Sequence, residues 1–269
     1  MSDRYNTAWR KMATVIYDRP TDARVLGSLE IEAEACVDFI AKRREEGVKI
    51  TITHIFTAAL ARTIAEDASI LNCFVRRGRI YPRKDVSIFL AVDVGGKDMS
   101  GVRIQNAHQK TVTEIHDEMK ARVRKHEGAD KSKLVRKKDS LSKLPFPLRR
   151  AVFSAMRWGV YEAGLNLRFT GLHEDMFGSA MITNIGSFGL DIGYPALIPA
   201  GNVPMVIAMG TIEKRAVVRD DEIVIRNMLP LSATFDHRIV DGHQVWLVAK
   251  GLKRFLADPA SLDRPPSAS

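Results

Sequence analysis

The chain has seven histidines, at 54, 108, 116, 126, 173, 237 and 243, and these are the natural starting point for any proton-transfer chemistry at neutral pH. Five of them read as ordinary surface or capping residues. His116 beside Asp117, with His108 eight residues earlier, does not have the spacing of metal ligands. No G-x-S-x-G elbow is present, so a serine-hydrolase nucleophile lacks its usual setting. No G-x-G-x-x-G or G-x-x-x-x-G-K-S run supports a Rossmann or P-loop nucleotide site. His237 stands apart because of its neighbours, Ser232-Ala233-Thr234-Phe235-Asp236-His237-Arg238-Ile239-Val240-Asp241-Gly242. A β-rich run ends at the imidazole and a long amphipathic helix begins at Asp241-Gly242. A side chain at such a junction faces a cleft while the elements on either side stay packed. At ordinary residue usage the chance that any of the seven histidines is followed by Asp and Gly at these offsets is roughly 0.02.

The elements that must hold this junction alternate between strands and helices. Val25, Gly27, Leu29 and Ile31 trace a strand, and a helix over 32–46 is stopped by Gly47. Thr53 is read as the cap of a second helix with Phe56, Ala59, Leu60 and Ile64 as its buried stripe. CFVRRGRIY, VSIFLAVDV and GVRIQN read as strands, and 113–125 as an amphipathic helix. Pro145 and Pro147 precede a helix over 148–158. Strands return in SAMITNI, VPMVIAMGTI and MLPLSATFD, with a hairpin through Arg219, Asp220 and Asp221, before a last helix over 242–256. This interleaving predicts an α/β layer architecture.

DHRIVDG followed by a helix ending FLADP resembles the active-site motif of the catalytic (core) domain of the 2-oxoacid dehydrogenase dihydrolipoyl acyltransferases. The broader resemblance is to the chloramphenicol acetyltransferase-like superfamily, which has the same His-x-x-x-Asp-Gly core. It extends to VKITITHIFTAALARTIAEDASILNC, VSIFLAVDV and MITNIGSFG, and covers most of residues 5–258. The implied fold is a two-layer α/β sandwich, a mixed sheet with helices on one face, in a single catalytic domain over 1–269. Three departures stand out. No lipoyl domain, subunit-binding domain or swinging-arm linker precedes the core, the segment 129–177 is longer and more basic than the usual connector, and GGKDMSGVRI replaces the usual Gly-Leu turn.

The resemblance implies an enzyme that moves an acyl group between coenzyme A and a dihydrolipoyl (or other thiol) acceptor. His237 is then the general base that takes the thiol proton, a contribution of roughly 10²–10⁴ in rate. Thr183, in Ile182-Thr183-Asn184-Ile185-Gly186, is the hydroxyl donor to the developing oxyanion, worth about 10²–10³. Asp241 matches the motif's carboxylate, orienting the loop through an ion pair with Arg10 or Arg238, or simply capping the last helix. Alternative readings are transfer to a small amine or alcohol, or a non-catalytic trimeric assembly core. Coenzyme A enters as a substrate, any lipoyl group comes from a separate lipoyl-bearing or acidic carrier protein, and no metal is implied. In the resembled family the site lies between subunits of a trimer, so Thr183 of one chain is expected to face His237 of the next. The tail 259–269, with Leu262 as its only sizeable apolar residue, is expected to be disordered. That points to a discrete homotrimer of about 90 kDa rather than a larger shell.

Composition is compatible with this. The 269 residues are 45% hydrophobic and 27% charged, enough for a sizeable core without disulfides or metal. Cys36 and Cys73 form no C-x-x-C pair. No 18-residue apolar run or secretory signal is seen, so a cytoplasmic location is the default. The net charge of +9 comes from one stretch: residues 120–157 hold thirteen Lys or Arg against Glu127, Asp130 and Asp139, leaving −1 for the rest. Without a recognisable nucleic-acid fold or stacking platform, that stretch argues against nucleic-acid binding. It reads instead as a solvated connector before an amphipathic helix, or as a surface for the phosphates of coenzyme A or for an acidic carrier.

Overall fold

A computed structural model describes residues 24–93, 99–128, 144–165, 175–198 and 201–265. Lys137 and Lys138, with the rest of 129–143 and with 166–174, lie outside the described residues, as do Arg10 and 266–269. In chain order the elements are β1 (Arg24–Glu32), α1 (Glu34–Glu45), α2 (Ile52–Glu66), β2 (Cys73–Arg76), β3 (Arg79–Pro82), β4 (Ile88–Asp93), β5 (Met99–Ile104), α3 (Val112–Gly128), α4 (Phe146–Tyr161), β6 (Ala180–Asn184), β7 (Met205–Met209), β8 (Glu213–Arg219), β9 (Glu222–Asp236) and α5 (Gly242–Ala257). No described helix is long and apolar enough to cross a membrane.

One seven-stranded sheet runs β1-β9-β7-β6-β4-β5, with β8 also paired to β9. It is mixed: β4–β6 and β6–β7 are parallel, and the other pairings are antiparallel. The parallel pairs require crossovers, and α4 lies in the connection from β5 to β6. The 15-residue β9 is the spine of the sheet, since it pairs with β1 and β7 at one end and β8 at the other. The β8–β9 turn uses Asp220 and Asp221, both at positive φ (50° and 64°), the geometry a two-residue hairpin needs.

Alternation along the strands divides the sheet into two faces. Leu229, Leu231, Ala233 and Phe235 of β9, with Ile182 of β6 and Ile207 of β7, bury into the main core against α1, α2, α3 and α5. This is the expected two-layer arrangement, with Ile55, Phe56, Ala58, Ala59, Leu60 and Ile64 of α2 all buried. The opposite face carries a smaller cluster, in which Phe153, Val160 and Tyr161 of α4 pack with Met181, Val203 and Val206. The helix α4, from the basic part of the sequence, therefore covers part of the second face, where the sequence reading expected helices on one face only. Pro145 and Pro147 start this helix rather than break the chain, because a proline in the first turn loses no hydrogen bond.

Two local expectations are corrected. The cap of α2 is Thr51, not Thr53: the His54 Nδ1 accepts the Thr51 N–H at 2.9 Å, closing a capping box in which histidine takes the place usual for Glu or Gln. The tail is not disordered over its described part. Pro259–Asp263 forms a 3-10 turn that buries Pro259 and Leu262. Its carbonyls are held by the buried Arg62 of α2, which donates to Ser261 O at 2.9 Å, Leu262 O at 3.1 Å and Arg264 O at 2.5 Å. Asp263 adds hydrogen bonds from the Thr113 N–H and hydroxyl of α3 and an ion pair with Arg43 of α1. The turn thus fastens three helices together.

Candidate active site

The last residue of β9, Asp236, is buried, and its backbone N–H donates to Pro204 O at 2.9 Å. Its carbonyl accepts both the Ile239 and the Val240 N–H at 3.0 Å, so the chain turns sharply around His237. Its carboxylate accepts the Arg238 N–H at 3.0 Å and grips the guanidinium through Nε (2.9 and 3.1 Å) and Nη2 (2.5 Å). Ile239 and Val240 are buried and anchor the far side of the turn. His237 is left exposed at the apex.

Its ring is nonetheless held. The His237 Nδ1 lies 2.6 Å from the Val240 carbonyl oxygen. A carbonyl only accepts, so Nδ1 carries the hydrogen, and in the neutral ring the lone pair is on Nε2. A neutral imidazole fixed in this tautomer presents its basic nitrogen to solvent, where a thiol or hydroxyl proton can be taken.

Asp241 is a helix cap. Its carboxylate accepts the His243 N–H at 2.9 Å, while Gln244 Oε1 accepts the Asp241 N–H at 3.0 Å. Of the two expected ion-pair partners, Arg238 is committed to Asp236 instead, and Arg10 lies outside the described residues. The reason is reach: Asp236 holds both the backbone and the side chain of Arg238, whereas Asp241 is occupied by the first turn of α5. The Asp236 clamp escaped the sequence reading, although an aspartate two residues before an arginine at a strand end is its signal.

Thr183 sits in the middle of the sheet, half-buried, on the face away from the main helix layer. Its strand neighbours are Ala91 and Ala208, so no bulky side chain flanks its hydroxyl across the strands. The hydroxyl is committed to no hydrogen bond among the described residues. The segment after it is pinned: Asn184 Nδ2 donates to Thr53 Oγ1 at 3.2 Å and Asn184 Oδ1 accepts the Ser187 N–H at 3.2 Å. Gly186 passes so close to β7's end that a Cβ would lie 2.5 Å from Gly210 O, which excludes any side chain there.

One chain does not bring Thr183 and His237 together. Thr183 registers with Ala208, and Ala208 with Ser232 on β9. His237 lies five residues farther along that strand, about 17 Å on, and two strand spacings, about 10 Å, to the side. The separation is roughly 20 Å. A thioester held between the two groups needs them within a few ångström, so a single chain does not form that site.

Beside Thr53 lies a pair of histidines, His54 buried and His116 half-buried. The rings of His54 and His116 meet edge to face, 4.9 Å between centroids. Burial, reinforced by His116, lowers the pKa of His54 to about 4, so it is neutral at pH 7. No three His, Cys or carboxylate side chains cluster as metal ligands among the described residues.

Residues 170–263 match the profile of the 2-oxoacid dehydrogenases acyltransferase (catalytic domain). The chain is 25% identical over 222 residues to the dihydrolipoyllysine-residue acetyltransferase component of the pyruvate dehydrogenase complex of Rickettsia bellii, covering 80% of this chain and 41% of that protein. The chain spans about a fifth to two fifths of the length of the curated relatives it matches. Among solved structures, a truncated catalytic core of the 2-oxoacid dehydrogenase multienzyme complex from Thermoplasma acidophilum has a TM-score of 0.64 at 18% identity, covering 96% of this chain and 97% of that one. Azotobacter vinelandii dihydrolipoamide acetyltransferase, solved to investigate a serine, a histidine and an asparagine in its catalytic mechanism, has a TM-score of 0.62 at 18% identity, covering 96% and 88%. The chain carries the catalytic-domain signature of the 2-oxoacid dehydrogenase acyltransferases over residues 170–263, on the fold of their catalytic cores.

Proposed function

We propose that the protein is a coenzyme-A-dependent acyltransferase that moves an acyl group between coenzyme A and a dihydrolipoyl thiol carried by a separate protein. The observation that carries this reading is the His237 ring itself, fixed through Nδ1 with Nε2 basic and exposed at a strand-to-helix junction. His237 Nε2 takes the proton of the incoming thiol, and the thiolate attacks the thioester carbonyl. The electron pair moves onto the carbonyl oxygen, where the Thr183 hydroxyl donates a hydrogen bond. Collapse expels the second thiolate, which recovers the proton from the His237 imidazolium. No net charge or atom is lost, and the reaction runs in either direction. In the Azotobacter protein the investigated histidine precedes the asparagine by four residues, the spacing of His237 and Asp241 here. Asp241 then serves by capping α5 and steadying the loop, not by touching substrate.

The working unit in this proposal is a homotrimer, with Thr183 of one chain opposite His237 of the next. The separation of roughly 20 Å within a chain supports it. So does a row of exposed apolar side chains, Phe188, Leu190, Ile192 and Tyr194, joined by Leu26 of β1. Gly193 in that row is tied to the second sheet face by Ser232, whose hydroxyl accepts the Gly193 N–H at 3.1 Å and donates to Gly193 O at 2.8 Å. A contiguous apolar row of this kind is a usual mark of a protein interface. Acetyl-CoA with free dihydrolipoamide tests the activity directly, with a small amine and a small alcohol as competing acceptors. Thioester formation on the dithiol is expected. Transfer to the amine or alcohol alone, or no transfer to any acceptor, would overturn the proposal.

A further inference from the structure

Thr183 stands on the last rung of the β4–β6 ladder. That pairing runs from Ile88 with Ala180 to Ala91 with Thr183 and ends there. Asn184 still pairs with Met209 of β7, and the Ile185 N–H donates to Met209 O at 2.9 Å. Past Thr183 the strand is therefore held by its ladder on one side only. Backbone at such a margin opens more easily than backbone inside a sheet, because fewer hydrogen bonds must break. An oxyanion donor owes its effect to being fixed before the reaction, so the position of Thr183 depends on what else holds the end of β6.

Successive residues of a strand face opposite ways. Ile182 buries into the helix-side core and Met181 into the cluster on the other face, so Asn184 faces the helices and Thr183 faces away from them. On the helix side Asn184 meets α2, where its Nδ2 donates to Thr53 Oγ1 at 3.2 Å. Thr53 is free to accept because it does not cap the helix. Thr51 has that role: its N–H donates to His54 Nδ1 at 2.9 Å, and its carbonyl accepts the His54 N–H at 3.0 Å. His54 is buried, and the Thr57 hydroxyl donates to Thr53 O at 2.6 Å, so the first turn of α2 is a firm base. The other side-chain contact of Asn184 is local, its Oδ1 accepting the Ser187 N–H at 3.2 Å. Among the described residues, Thr53 is the one side chain outside this segment that Asn184 hydrogen-bonds.

We infer that Thr53 is a positioning residue for Thr183: acting through Asn184, it sets where the oxyanion donor stands. The inference rests on the acyl-transfer reading for the role of the Thr183 hydroxyl, while the mechanical link is measured separately. The path is short, one hydrogen bond and then one peptide unit. It lies wholly within the chain that supplies the threonine, so it fixes the donor whichever chain supplies the histidine. A misplacement of about 1 Å can cost roughly 10²-fold in rate, and removal of an oxyanion donor about 10²–10³-fold. Cutting the link shifts the donor without deleting it, so a loss of about tenfold is expected.

The test uses the whole protein and compares wild type, Thr53→Val, Thr53→Ser, Thr183→Ala and the double variant Thr53→Val/Thr183→Ala. Valine deletes the acceptor oxygen and keeps the branched shape, whereas serine keeps the oxygen. Turnover from acetyl-CoA to free dihydrolipoamide is measured with Tm and with hydrogen exchange over residues 180–186. Thr53→Val is expected to lower kcat about tenfold with KM for both substrates close to wild type, and to speed exchange in that stretch. Thr53→Ser should recover most of both. With Thr183→Ala there is no hydroxyl left to place, so adding Thr53→Val should cause no further loss. Equal losses from Thr53→Val in the two backgrounds would make Thr53 ordinary packing and overturn the inference. So would unchanged kcat, or unchanged exchange, in Thr53→Val. Thr53→Ala, which only removes atoms, carries the same expectations where the valine variant does not fold. If wild type transfers no acyl group, the acyl-transfer reading fails and exchange alone judges the link: faster exchange in Thr53→Val upholds it, and unchanged exchange overturns it.

Discussion

Mixing two inactive variants can decide whether the site is shared between chains. In the proposed mechanism His237→Ala removes the base and Thr183→Ala removes the oxyanion donor, and each homogeneous protein should be nearly inactive. Within a chain the two positions are roughly 20 Å apart, so no chain builds a site from its own pair. In a closed trimer each site takes His237 from one subunit and Thr183 from the next. If the variants are mixed in equal amounts, dissociated and reassembled, a site is intact only when a Thr183→Ala subunit supplies the histidine and a His237→Ala subunit supplies the threonine. Each condition is met half the time, so about a quarter of the sites are restored. The assay is thioester exchange from acetyl-CoA to dihydrolipoamide, read against wild type taken through the same dissociation. Recovery near a quarter of wild-type activity is expected, with none when the variants are mixed without dissociation. A reassembled mixture no more active than the two variants alone would refute the shared site.

Three further outcomes follow from the packing. His54 has a pKa of about 4 in the folded chain against 6.5 unfolded, so the unfolded state binds the proton first as pH falls. Its contribution is fully present above pH 6.5 and is lost as pH falls through about 4, an effect of roughly 3 kcal/mol. Urea titrations across that range should show the loss, and His54→Gln should flatten it; an unchanged slope would mean the ring is not buried beside His116. Arg62→Met leaves three carbonyls of the C-terminal turn without their donor, and should cost about 3 kcal/mol and speed proteolysis after Leu256. Asp236→Ala should lower kcat about tenfold or more with little change in KM, because it frees the turn that holds His237 without touching substrate. Equal effects on kcat and on Tm of a distant core variant would reduce Asp236 to ordinary packing.

The strand-to-helix junction at His237 was legible because two periodicities meet there: the apolar run of β9 stops at Asp236, and the helical stripe of Val248, Leu252 and Phe255 begins after Asp241. The α/β layering was legible for the same reason, as period-two and period-3.6 segments alternate along the chain. What periodicity does not encode was missed. The C-terminal turn buries only Pro259 and Leu262, too few residues to show a period, and its partner Arg62 is a cation inside an apolar helix. Arg238 was paired with the wrong aspartate because both lie within three residues of it, and only the turn at the end of β9 decides between them. The cap of α2 was placed at Thr53 because His54 fills a role that sequence patterns reserve for Glu or Gln. The expectation of helices on one face did not place α4 on the second, since a helix apolar on both faces has no single direction to bury.

The central claim is that the exposed Nε2 of His237 removes a thiol proton during acyl transfer. The most direct measurement is the rate of exchange from acetyl-CoA to dihydrolipoamide by wild type and His237→Ala, with coenzyme A binding and thermal unfolding recorded on the same samples. The account predicts a fall of about a hundredfold or more in rate, with coenzyme A affinity and Tm close to wild type. Full turnover by a folded His237→Ala protein would contradict it.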